Sequence, residues 1–126
     1  MAVGEFSAGD RYEIDRTIRA AEQASRCEFS VFVGTADGEP AAFAARLHAA
    51  LVAPTRSILI MVDPNARALE VVTGAHVRRH LTDREVELAV LEMQSAFAAG
   101  DLVVGLKRGI SMLADHARAP QTLHEA

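Results

Sequence analysis

Apolar positions recur at helical spacing through Ile14, Ile18, Ala21 and Ser25, and this spacing predicts a first helix over residues 11–25. Asp10 stands where an N-cap is needed, and Asp15 with Arg19 and Glu22 with Arg26 form i,i+4 pairs on the outer side. The period then drops to two. Phe29, Val31 and Val33 alternate with Ser30 and Phe32, so residues 28–35 read as a strand apolar enough on both faces to lie within a sheet. After the polar turn 35–40, Pro40 suits the first position of a second helix over 40–53, with Phe43, Leu47 and Leu51 as its buried stripe and His48 packed beside it.

Residues 57–62 form a second strand, the run 63–67 (Asp-Pro-Asn-Ala-Arg) is a turn, and residues 68–73 return as a third. So short a connection makes strands two and three an antiparallel hairpin. The helical crossover between strands one and two makes that pair parallel. Thr82 and Glu85 fit a capping box opening a helix over 83–98, with Val86, Val90, Met93 and Phe97 on one face. Gly100 ends it and Asp101 caps a last helix over 102–117, which turns Leu102, Leu106, Ile110 and Leu113 inward. Gly105 and Gly109, four apart, allow a close helix contact.

The fold class is therefore α/β: a small mixed β-sheet flanked by helices on both faces, in the order α-β-α-β-β-α-α. Residues 1–9 read as an N-terminal arm that docks through Val3 and Phe6, residues 10–118 as one domain, and residues 119–126 as a C-terminal tail.

Composition narrows the function. A formal net charge of −4, one Tyr and no Trp argue against nucleic acid, which calls for clustered positive charge or aromatic platforms. No apolar run approaches the roughly 20 residues that span a bilayer, and the first residues lack a basic segment followed by an apolar one. The expectation is a cytoplasmic chain. One cysteine, Cys27, excludes an internal disulfide, and its place beside the first strand suggests a buried, inert thiol.

Candidate chemistry falls at two ends of the sheet. Asp37, Glu39 and Asp63 lie at the carboxyl ends of strands one and two, where open α/β sheets commonly bind ligands. Asp37 and Asp63 are the candidates for a divalent metal, Mg²⁺ or Ca²⁺, although no cofactor motif is evident. Arg56, Thr73, Gly74, His76, Arg78, Arg79 and His80 gather at the opposite end, near the start of the third helix, as candidates for an anion or a protein partner. About seven strand residues at ~3.3 Å each separate the two groups by roughly 20 Å, so one set cannot act on a ligand held by the other. The chain has no Gly-rich phosphate loop, no GxSxG elbow, no HExxH and no CxxC.

The pieces Ile14-Asp15, Ala21-Glu22, SVFVG, ILIMVDPNARALEVVTG, LTDREVELAV, Ala98-Ala99-Gly100-Asp101 and Gly105-Leu106 occur in an order that resembles the TPM domain family, and more closely an uncharacterised actinobacterial branch of it. The resemblance spans residues 10–118. It implies an α/β sandwich, and it implies either a phosphatase or an accessory module without catalysis. Glu70, Gly74 and Asp83 match the family's strand-end Glu, loop Gly and helix-entry Asp. The family's second loop glycine is His76 here, and Val77-Arg78-Arg79 replaces small and acidic residues, which makes the loop bulkier and cationic.

The expected function is a non-catalytic binding or interaction module using the 74–80 loop, with an unknown protein or a small anion as partner. The alternatives are a weak phosphohydrolase and an oligomeric scaffold, a homodimer through strand 68–73 or the third helix.

Overall fold

Ser7, rather than Asp10, opens the first helix of the computed structural model, which describes residues 6–118. The Ser7 hydroxyl accepts from the Asp10 amide at 3.0 Å, and the Asp10 carboxylate accepts from the Ser7 amide at 3.2 Å. This reciprocal pair satisfies two amides that a lone Asp10 cap would leave unmet. Helix α1 accordingly runs Ala8–Ser25, beginning before the expected residue 11. Phe6 packs against the main core, whereas Val3 and the rest of 1–5, like the tail 119–126, lie outside the described residues.

The expected Glu22–Arg26 pair does not form. Arg26 ends α1 in the left-handed region (φ 64°), and the Glu22 carboxylate reaches forward to accept from the Phe29 amide at 3.0 Å. Strand β1 (Glu28–Val33) follows. Helix α2 (Pro40–Ala49) stops short of the expected residue 53. Pro54 disfavours helical backbone at Ala53, which sits at φ −130°, and the chain enters β2 through a 3₁₀ turn, Pro54–Arg56.

Strand β2 (Ser57–Asp63) is central and buried along its whole length, parallel to β1 and antiparallel to β3 (Ala68–Thr73). Helices α3 (Asp83–Ala98) and α4 (Leu102–Ala117) match their sequence expectations, capping box included. Ile58, Ile60 and Val62 face a core shared with α1, α3 and α4, while Leu59 and Met61 face Ala44 and the apolar side of α2. Each side chain of this size contributes roughly 1.5–3 kcal/mol on full burial, so the central strand anchors both layers. Gly109 lets α3 and α4 meet closely: a Cβ there would lie 2.3 Å from the Met93 sulfur. No helix among the described residues is long and apolar enough to cross a membrane.

Hydrogen-bond parity identifies the two sheet edges. The Val62 carbonyl accepts from Gly34 on the β1 side, and the Ser57 carbonyl from Gly74 on the β3 side. With the observed registers, Phe29, Val31 and Val33 turn their backbone groups outward at one edge, and Leu69, Val71 and Thr73 at the other. Each edge has a charged plug at one end. Glu22 accepts from the Phe29 amide, and the Arg78 guanidinium donates to the Thr73 carbonyl.

Candidate functional site

The 74–80 segment is fixed by its backbone before any side chain is considered. Gly74 is buried, and a Cβ there would stand 2.1 Å from the Pro54 carbonyl oxygen and 2.4 Å from that of Thr55. Only glycine lets the exit of β3 pass so close to the Pro54–Arg56 turn. The Gly74 amide donates to the Ser57 carbonyl at 3.0 Å and the His76 amide to the Thr55 carbonyl at 2.9 Å. A 3₁₀ turn, Val77–Arg79, closes the segment, and Val77 and Leu81 anchor it in the core.

Beneath the segment, the Nε2 of buried His48 also lies 3.0 Å from the Ser57 carbonyl. A carbonyl can only accept, so that nitrogen carries the proton. The sequence identified His48 as a packed residue but gave no sign that it supports the loop.

The structure divides the expected anion ligands into engaged and unengaged groups. Arg56 donates to the Arg26 carbonyl at 3.0 Å, and Arg78 to that of Thr73. These two guanidinium groups serve backbone carbonyls on different segments and do not converge. Thr73 contributes its carbonyl as an acceptor. The His76 and His80 rings stand edge to face, with centroids 6.1 Å apart. Arg79 and His80 are exposed, and among the described residues their side chains make no hydrogen bond or ion pair. Arg84, the second residue of α3, is exposed and unpaired in the same sense, and the sequence pattern did not single it out. Its charge type was visible, but its nearness to the loop depends on where α3 begins.

Two amides at the entry to α3, those of Thr82 and Glu85, are already answered. Thr82 accepts from Glu85, and the Glu85 carboxylate accepts from the Thr82 amide at 2.9 Å, a bond that holds its carboxyl below the ordinary value. The second Glu85 oxygen lies 3.3 Å from His116 Nδ1 at the end of α4.

At the other end of β2, the buried Asp63 carboxylate accepts from the Ala36 amide at 2.9 Å and the Ala66 amide at 3.1 Å. Those amides lower its carboxyl below the ordinary range against the opposing effect of burial. Asp63 thus meets the segment next to Asp37, but its oxygens point at backbone N–H groups. Asp37 is exposed, and Glu39 caps α2 by accepting from the Ala42 amide at 3.0 Å. Among the described residues, no three His, Cys, Asp or Glu side chains gather to hold a metal ion.

One family model matches most of the chain. Residues 2–114 match the family described as Domain of unknown function (DUF5130). The chain belongs to that family. The DUF5130 chain is 31% identical over 108 residues to uncharacterised proteins from two Mycobacterium tuberculosis strains, covering 86% of this chain and 65% of each relative. It thus spans just under two thirds of the length of the relatives it matches.

Solved structures share the fold. The BA42 protein of Bizionia argentinensis superposes with a TM-score of 0.81 at 19% identity, covering 91% of this chain and 83% of that one. The N-terminal domain of the cg2496 protein of Corynebacterium glutamicum gives 0.77 at 16% identity, covering 95% and 80% respectively. An N-terminal domain from P. gingivalis gives 0.73 at 17% identity, covering 94% and 84%.

Proposed function

We propose that this DUF5130 domain is a non-catalytic binding module, related to TPM domains, that presents Arg79 and His80 to an acidic surface of a protein partner. The observation that carries this reading is the contrast within one short segment. Its backbone is held by Gly74, His76 and Val77, while its Arg79 and His80 side chains are exposed and unpaired among the described residues. Fixed backbone with an uncommitted guanidinium beside an exposed imidazole lowers the ordering cost of binding and favours charge-complementary recognition. The overall negative charge of the chain makes this local cationic surface more selective for an acidic partner.

Binding is favoured over hydrolysis because the groups a phosphohydrolase would need are otherwise engaged: Asp63 by amides, Arg78 and Arg56 by carbonyls. Calorimetric titration with a short Glu/Asp-rich peptide tests the reading. The expected result is measurable binding that weakens with added salt, is lost in Arg79→Glu/His80→Glu, and persists in Asp37→Ala. Equal binding by the charge-reversed variant, or no binding at millimolar peptide, would contradict it.

A further inference from the structure

A hollow of about 460 Å³ lies at the end of the sheet opposite the 74–80 loop, between the β2–β3 turn and the junction of α3 with α4. That volume falls within the range of small-molecule pockets. Val62, Leu69, Phe97 and Leu102 give it an apolar lining, and Leu69, Phe97 and Leu102 are only partly buried. Two exposed polar side chains, Arg67 and Gln94, also line it, and neither has a hydrogen-bonding partner among the described residues. Arg67 sits in the left-handed region (φ 53°), a conformation that favours glycine, yet the position carries a long cationic side chain. Asp63 contributes to the same wall, but each of its oxygens already accepts from a backbone amide.

We infer that this hollow binds a small apolar monocarboxylate. Its carboxylate meets the Arg67 guanidinium and the Gln94 amide, and its hydrocarbon part covers Leu69, Phe97 and Leu102. Arg67 supplies a planar pair of donors suited to a carboxylate. The fixed negative charge of Asp63 penalises a second charge on the ligand, so a monoanion is favoured over phosphate or a dicarboxylate. Charge complementarity thus selects the head group, and the apolar lining selects the tail. The site is independent of the 74–80 loop, because β2 spans the distance between them.

Titration of the ¹⁵N-labelled full chain with octanoate is the test, alongside octanol, octylamine and inorganic phosphate. Saturable amide shifts confined to 62–69 and 94–102 are expected with octanoate. Octanol, octylamine and phosphate should bind at least tenfold more weakly. Arg67→Gly should weaken octanoate binding at least tenfold while its urea midpoint stays level or rises, since glycine fits this backbone conformation. Gln94→Ala provides a second variant, with weaker binding and no change in fold. Absence of shifts at millimolar octanoate, equal binding of octanol, or undiminished binding by Arg67→Gly would overturn the inference. So would occlusion of the hollow by a second copy, seen as a dimer that Leu102→Glu dissociates.

Discussion

The Arg78 guanidinium donates to the Thr73 carbonyl at the outer edge of β3. It therefore plugs one end of a strand whose Leu69 and Val71 backbone groups also turn outward. Open edges of this kind template further pairing, and a charged side chain on the edge opposes it. Arg78→Ala should change stability by less than about 1 kcal/mol, since the exposed carbonyl regains water. The same change should raise the average mass measured by light scattering at high protein concentration. An unchanged mass would mean that the plug has no role in edge protection.

Gly74 should be far less replaceable than Gly38. A methyl at 74 meets two backbone carbonyls, whereas Gly38 (φ 90°) has open space around it. Gly74→Ala should cost roughly 3 kcal/mol or more, and Gly38→Ala about 1 kcal/mol from backbone strain alone. Urea unfolding of the two variants compares them directly.

The hairpin, the parallel crossover and the last two helices were legible because each has a local signal: a Pro-Asn turn, a capping box, a helical stripe. The start of α1 was not, because a lone Asp10 hides the Ser7–Asp10 reciprocity unless both ends are considered. The early end of α2 follows from Pro54, whose restriction on Ala53 overrides the helical apolar spacing that continues to Leu51.

At the site, residue type was legible and hydrogen-bond direction was not. Arg56, Arg78 and Arg79 read alike in the sequence, yet two face carbonyls and one is exposed without such a partner among the described residues. By sequence position Asp63 is a turn or metal residue. Its link to Ala36 spans a sequence separation that local patterns cannot show.

Asp63 should leave a mark on acid stability. Its folded carboxyl lies below the ordinary Asp value, first through the Ala36 amide and then through that of Ala66. The stabilisation is thus fully present above the unfolded value, about 4, and is lost as pH falls through the lower folded value. Asp63→Asn should be less stable at neutral pH, with a shallower loss of stability below about pH 4. Urea midpoints of both proteins across that range check the sign; parallel curves would contradict it.

Cys27 should be silent in the native protein. It is buried beside β1, and burial raises its thiol above the ordinary range. Both effects suppress thiolate attack. A chromogenic disulfide reagent at mildly alkaline pH should label it only as fast as the protein opens, and at once in denaturant.

Residue-resolved titration with the acidic peptide tests the central claim most directly, because it locates the contact as well as detecting it. Amide shifts should concentrate between Ala75 and Arg84, with the His76 and His80 ring signals moving in parallel and the Asp63 end of the sheet unaffected. Shifts scattered over the surface, or concentrated at 62–69, would contradict a binding module built on the 74–80 loop.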